Sequence, residues 1–420
     1  MQETKYLIVG SSHAGLAALD AIRLADREGT VAMVAKDDSL PYSPTVLPYV
    51  FSGAADPDRV FLRDDAFFEK NKVEFIRGVS VVSLDGKAGK AVLSDDREIA
   101  FEKALIATGA SPQTPDIEGL SEAPYRVLRT LTDAVGLKES AAGNGSAVIL
   151  GAGLIGLHAA ENLAMAGMRV TVVEMLNQVL PGYFDKRASG LIKKAFTEQG
   201  VNIMLGSPVT HVAANHNGCV VSLENGLDIS ADVLLAAAGV TPNWECVMGQ
   251  GVETDRGILV DDYMRTSLAN VWAAGDVVQA KGFFDGKPVV SATLPMAVEQ
   301  GRIAGADMAG DSAVGPFAGS LPLNTYSFFG NRAFSVGQAV PSGSARGFEV
   351  DYEYSPTSQR YKKLVFKGAR LVGAMSVNSD LDPGVLAQMI RRRVDLDGKK
   401  KLFAGDPKET SRLLMTKLWR

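Results

Sequence analysis

The chain has 420 residues, 46% of them hydrophobic and 22% charged, with a net charge of −5. That balance suits a packed globular protein and is too apolar for a disordered chain, and the net negative charge argues against a general nucleic-acid binder and a protein held by charge on anionic membranes. At ~150 residues per domain the length predicts about three domains. No stretch approaches the ~18–20 uninterrupted apolar residues of a membrane span. The N-terminus runs into the apolar residues 6–9 without a secretory leader, so a cytoplasmic location is expected.

The two cysteines, Cys219 and Cys246, are too few and too far apart for a disulfide framework, a Cys-x-x-Cys dithiol or a cysteine-ligated iron–sulfur cluster. The four histidines, His13, His158, His211 and His216, make no metal-ligand set. Redox chemistry in this chain would therefore come from a bound organic cofactor.

Taken in order, residues 6–9 read as a buried strand, 10–15 as a glycine turn, 16–25 as an alanine-rich helix and 30–35 as a second strand. The same order returns with a strand at 147–150, a turn at 151–156, a helix at 157–166 and a strand at 169–173. A βαβ unit used twice predicts two dinucleotide-type domains with parallel sheets. Apolar strands also end at Ala107-Thr108-Gly109, Ala237-Ala238-Gly239 and Ala274-Gly275-Asp276. From about residue 318 the pattern alternates as antiparallel strands do, at 333–336, 348–354, 361–366 and 371–377. It closes with a helix over 383–393.

The second turn is a full G-x-G-x-x-G. Gly151 permits the tight turn, Gly153 lets a diphosphate approach, and Gly156 lets the helix pack on the strand. Leu154 and Ile155, between the second and third glycines, join the NAD set. Glu174 stands 23 residues after Gly151, where a carboxylate accepts from both ribose hydroxyls and repels a 2′-phosphate. NAD(H) is expected there rather than NADP(H). The first turn is degraded. Gly10 and Gly15 remain, but Ser12 replaces the middle glycine, and Ala35 stands where the acid would be, with Lys36, Asp37 and Asp38 after it. His13 reads as a helix-start residue near phosphates, and Ala14 follows it.

This ordered set of turns resembles the two-dinucleotide flavoprotein reductases, the pyridine nucleotide–disulfide oxidoreductase superfamily. The resemblance implies an α/β fold: two Rossmann-like, three-layer domains with parallel sheets plus a C-terminal α+β domain. Residues 1–112 and 244–317 would bind FAD, 113–243 NAD, and 318–420 would form the interface domain. Carried over, Gly10, Ser12, His13, Ala14 and Gly15 hold the FAD diphosphate, Val81 meets adenine, and Thr108 and Gly109 lie against the cofactor. Gly275 and Asp276 approach the ribityl chain. The helix at Pro295 faces the flavin pyrimidine, and Lys36, Thr45 and Val46 complete the FAD set. Gly239 joins the NAD set.

Thr45 stands where thiol-using members of the superfamily carry a redox cysteine, so disulfide-reductase chemistry is not expected. No side chain is expected to be catalytic: hydride passage between nicotinamide C4 and flavin N5 requires stacking rather than a proton shuttle. His158 and Glu161 are accordingly given no acid–base role.

The runs at 41–50, 61–65, 158–163, 182–186 and 323–326 look like those of the FAD-bearing epsilon subunits of NADH-dependent phenylglyoxylate dehydrogenases. That resemblance implies iron–sulfur, ferredoxin-like and thiamine diphosphate-binding partner subunits. Residues 360–420 carry 15 Lys and Arg against 6 Asp and Glu, which reads either as a solvated face or as a dock for an acidic partner. Two other readings stay open at this point. One is a stand-alone NADH:ferredoxin or rubredoxin reductase or NADH oxidase; the other is an FAD-bearing scaffold without turnover.

Overall fold

The computed structural model describes residues 2–141, 145–216, 218–340 and 347–418. They form two compact units. The first gathers Met1–Val46, Ala55–Ser111 and Val240–Ser320; the second gathers Leu47–Ala54, Pro112–Gly239 and Leu321–Arg420.

The first unit opens with β1 (Gln2–Val9), α1 (His13–Ala25) and β2 (Val31–Ala35). β3 (Val73–Arg77), β4 (Val81–Asp85), β5 (Lys90–Leu93) and β6 (Glu98–Ile106) follow. The sheet order is β3-β2-β1-β6-β5-β4. β3, β2, β1 and β6 run parallel, whereas β4 and β5 are antiparallel additions at one edge. All five residues of β2 are buried, as in a strand covered on both faces.

In the second unit β7 (Ser146–Leu150), α2 (Leu154–Met165) and β8 (Arg169–Glu174) repeat the opening motif. α3 (Lys186–Glu198), β9 (Asn202–Leu205) and β10 (Val233–Ala236) complete it. The parallel sheet runs β9-β8-β7-β10, with the short strand Tyr125–Arg126 beyond β10. A small antiparallel sheet built from Val209–Asn215, Gly218–Leu223 and Asp228–Ala231 packs a core of Val212, Val221 and Leu223 against Val148 and Leu234.

The chain then returns to the first unit. β11 (Val271–Ala273) pairs in parallel with the far half of β6, and α4 (Leu294–Met308) lies on α1. Helix contact there is backbone-close. A Cβ on Gly301 would sit 2.2 Å from the Ala14 carbonyl oxygen, and one on Gly305 2.3 Å from that of Ala18.

The chain ends in the second unit with β12 (Leu323–Phe328), β13 (Asn331–Gly337), β14 (Glu349–Ser355), β15 (Arg360–Lys367) and β16 (Arg370–Val377). Their antiparallel order is β12-β13-β16-β15-β14. α5 (Pro383–Arg391), α6 (Lys400–Gly405) and α7 (Pro407–Leu418) follow. Asp185 ties α3 to this sheet: it caps the helix by accepting from Arg187 and Ala188 N–H, and it also accepts from Tyr361 Oη at 2.7 Å and Lys363 Nζ at 2.9 Å.

Three details differ from the sequence reading. α1 and α2 begin at His13 and Leu154, inside the glycine turns rather than after them. β12 precedes the first C-terminal strand that the alternation marks. Two helices, α6 and α7, extend the chain past the helix expected to close it.

Candidate nucleotide sites

In the first unit the turn after β1 is forced by its glycines. Gly10 has φ +113°, and a Cβ there would stand 2.1 Å from the Ala107 carbonyl oxygen. A Cβ on Gly15 would stand 2.0 Å from the Gly10 carbonyl oxygen. α1 therefore starts flush against the strand end, with Ser12 as an extended N-cap whose hydroxyl makes no capping hydrogen bond. No acid lies in the first turn. The free N–H groups and the positive helix end suit an anion.

Around this helix start the fold collects residues distant in sequence. His13 Nε2 lies 2.9 Å from Ser43 Oγ, which lies 2.7 Å from Thr45 Oγ1. Thr45 is exposed and Val46 half-buried beside it. Burial lowers the His13 pKa from its ordinary value, against the pull of Asp276. Gly275 is buried at φ +87°, its N–H donates to Gln300 Oε1 at 2.9 Å, and a Cβ there would stand 3.1 Å from that of Ala14. His13, Ala14, Ser43, Thr45, Gly275, Asp276 and Gln300 thus form one neighbourhood.

Other residues of the set belong to the same unit. Thr108 Oγ1 donates to the Asn243 carbonyl at 2.6 Å, Asn243 Nδ2 returns to the Thr108 carbonyl at 3.1 Å, and Asn243 N–H donates to the Gly109 carbonyl at 2.9 Å. Lys36 is exposed at the end of β2, and Val81 opens β4. Pro295 is exposed in the first turn of α4, whose N-cap Thr293 makes no side-chain capping bond. Ser43 is the addition that sequence reasoning missed; its only signal was a hydroxyl two residues before Thr45.

In the second unit Gly151 has φ +107°, and a Cβ on Gly156 would stand 2.1 Å from the Gly151 carbonyl oxygen. Gly153 is the extended N-cap of α2, and nothing lies within 4 Å of where its Cβ would be. Its glycine therefore keeps space open outside the turn instead of relieving an internal clash. Leu154 and Ile155 form the first helical turn, with Ile155 39% exposed. Glu174 is buried at the end of β8; Oε2 accepts from Ala152 N–H at 2.8 Å and Oε1 from Leu176 N–H at 2.9 Å. Each oxygen retains a lone pair for a further donor. Gly239, at φ +120°, is exposed beyond β10 and accepts from Gln113 N–H.

His158 and Glu161, farther along α2, face the C-terminal hairpin. The His158 ring lies edge-on to Tyr326 at 4.8 Å, and burial pushes its pKa down to about 4. Glu161 Oε1 accepts from Phe329 N–H, and burial raises its carboxyl. Both cysteines are buried and free, with burial pushing Cys246 up to about 11, the opposite of an activated thiol. Among the described residues no cluster could hold a metal ion, and no helix is long and apolar enough to cross a membrane.

Residues 4–309 match the family model described as pyridine nucleotide-disulphide oxidoreductase. The chain belongs to that family. It is 48% identical to the NADH-dependent phenylglyoxylate dehydrogenase subunit epsilon of Aromatoleum evansii, over all of this chain and 99% of the relative. It is 30% identical to a rubredoxin-NAD(+) reductase of Pseudomonas putida, over 74% of this chain and 81% of that one. The fold matches putidaredoxin reductase in its covalent complex with putidaredoxin, with a TM-score of 0.87 at 23% identity, covering 99% of each chain.

The chain is thus an FAD-dependent NAD(H) oxidoreductase, and FAD and NAD are its cofactors. The residues fit both groups. Two uncapped, acid-free helix starts stand behind obligate glycines, and the space beside Gly153 is open.

Proposed function

We propose that the chain carries electrons from the iron–sulfur, ferredoxin-like subunit of a thiamine diphosphate-dependent 2-oxoacid dehydrogenase of the phenylglyoxylate type to NAD⁺. The full-length 48% likeness to the Aromatoleum evansii subunit carries this reading. Threonine at position 45 supports it, because a hydroxyl cannot relay electrons as a thiolate does. The reading places the chain in the cytoplasm, with the NAD⁺ pool.

FAD, when bound, supplies a carrier that accepts electrons singly and passes them on as hydride from N5 to nicotinamide C4. The chain's own residues hold and orient. In this assignment residues 1–112 and 244–317 hold FAD. The α1 N–H groups and the uncommitted Ser12 hydroxyl take its diphosphate, aided by Gly10 and Gly15. Asp276 and the close backbone at Gly275 take the ribityl chain. The positive end of α4 at Leu294-Pro295 favours negative charge on the ring. His13 is half-buried, and desolvation lowers its pKa, which disfavours a positive charge beside the Ser43–Thr45 pair.

Residues 113–243 hold NAD. The α2 start takes the diphosphate across Gly153, and Glu174, pinned by Ala152 and Leu176, is aimed to take the ribose hydroxyls. Residues 318–420, with their basic excess, dock the acidic partner.

Anaerobic purification of the tagged chain from its native host tests this. The reading expects iron and thiamine diphosphate to co-purify, with NAD⁺ reduced when a 2-oxoacid and coenzyme A are added. A lone chain that reduces rubredoxin with NADH would overturn it in favour of the stand-alone reductase to which the Pseudomonas putida likeness points.

A further inference from the structure

The C-terminal sheet ends in an exposed strand. β14 pairs with β15 from Glu349↔Phe366 to Ser355↔Arg360 without a register shift, and it is the last strand of the sheet. Among the described residues no strand takes its outer edge. The residues from Glu349 to Tyr354 are all exposed, with Tyr352 at 48%. Edges of this kind are ordinarily blunted by lysine, proline or a bulge, because their free N–H and C=O groups template further pairing. The stretch Glu-Val-Asp-Tyr-Glu-Tyr-Ser has no lysine, proline or bulge, and is guarded by acidic charge alone, from Glu349, Asp351 and Glu353, which repels an acidic strand and admits a basic one.

Alternation sorts its side chains onto two faces. Val350, Tyr352 and Tyr354 share one, with the Arg187 guanidinium 4.3 Å from the Tyr352 ring centroid. Glu349, Asp351 and Glu353 share the other. Lys400 pairs with Glu349 and Lys362 with Glu353, while Asp351, between them, has no ion pair among the described residues. The Ser355 end of the strand opens onto a polar groove of about 690 Å³ in which Glu353, Asp380, Asp406 and Glu409 are balanced by Arg360, Lys362, Lys408 and Arg412, so the acidic character of the edge rests on Asp351 and not on the groove.

We propose that this edge accepts an extended segment of a partner protein as a sixth strand. The segment sets apolar residues over Val350, Tyr352 and Tyr354 and basic residues over the acidic face centred on Asp351. Main-chain hydrogen bonds along the edge give affinity, and the two rows give register and specificity. A second copy of this chain suits the edge poorly. Antiparallel pairing about Tyr352 would set Asp351 opposite Glu353 on both sides of the seam, and like charges directly opposite destabilise a ladder. The inference does not depend on the electron-transfer reading, since a free-standing reductase would present the same edge.

The test uses the full chain and a fluorescent peptide of about eight residues alternating lysine with valine. Fluorescence polarisation should show it binding at least about tenfold tighter than a glutamate–valine peptide, and tighter by a similar factor than its own alternately N-methylated form. Amide exchange over 349–355 should slow when it binds. Asp351→Lys should erase the preference for the basic peptide. Absent binding, equal affinity for the two peptides or unchanged exchange would overturn the proposal. So would a concentration-dependent dimer protected over 349–355 without peptide. The N-methylated peptide probes the unaltered chain, so the test holds even if the variant fails to fold.

Discussion

The Glu174 carboxylate reaches back to the glycine turn that precedes it: Oε2 accepts the Ala152 N–H at 2.8 Å, while Oε1 accepts the Leu176 N–H at 2.9 Å. The backbone thereby aims a buried acid at the mouth of the turn. Glu174→Ala should raise KM for NADH about tenfold or more (~1.4 kcal/mol) and narrow the preference over NADPH. Steady-state kinetics with both nucleotides measures this. An unchanged KM for NADH would mean the ribose lies elsewhere.

Gly153 and Gly156 should respond differently, although both belong to the same motif. A Cβ on Gly153 points into open space, so Gly153→Val should fold, retain FAD at full occupancy and lose NADH binding by steric block. A Cβ on Gly156 meets the Gly151 carbonyl oxygen at 2.1 Å, so even Gly156→Ala should lower the melting temperature by several degrees. Flavin content, NADH titration and thermal unfolding separate the two effects.

These glycines explain why much of the fold was legible in sequence. A positive φ at Gly10 and Gly151 and a backbone clash at Gly15 and Gly156 leave no alternative residue, so the motif states its own geometry. The Asn243 clasp on Thr108 and Gly109 is different. Thr108 lies 135 positions from Asn243, with Gly109 beside it, and no local pattern reports such a meeting. α6 and α7 were hidden for another reason. Their lysine-rich sequence resembles a solvated tail, and tertiary contacts anchor them: Phe403 is fully buried edge-on to Phe366, and Ser411 Oγ reaches Met389 Sδ. β12 sits in a run whose alternation is masked by polar residues, yet Tyr326 and Phe328 are buried.

His158 predicts a specific acid sensitivity. In the unfolded chain an imidazole gains its proton near pH 6.5; in the fold burial holds it off until about 4. Between those values the unfolded state binds more protons, so the contribution of this group to stability is complete above ~6.5 and is lost as pH falls towards 4. The loss is at most about 3 to 4 kcal/mol. Glu161, whose carboxyl is raised by burial, acts with the opposite sign over the lower part of the window. His158→Leu should therefore flatten the decline of urea stability from pH 6.5 to 4. A variant that declines as steeply as the parent would show that His158 does not titrate this way.

The basic excess over 360–420 predicts a salt effect confined to the partner step. Electron exchange with an acidic ferredoxin-like protein should slow several-fold as ionic strength rises from about 0.05 to about 0.5 M. NADH-driven reduction of a small neutral dye, which needs no dock, should change little. Equal behaviour of the two rates would remove this segment from the docking surface.

One measurement reaches the centre of the account, that a single chain lodges both FAD and NAD and passes electrons between them. The purified chain, made anaerobic, is mixed with NADH while the flavin band near ~450 nm is followed. The account predicts a yellow protein whose band bleaches rapidly with about one equivalent of NADH, and much more slowly with NADPH. A protein that stays colourless when supplied with FAD, or a yellow one that NADH leaves unbleached, would contradict it.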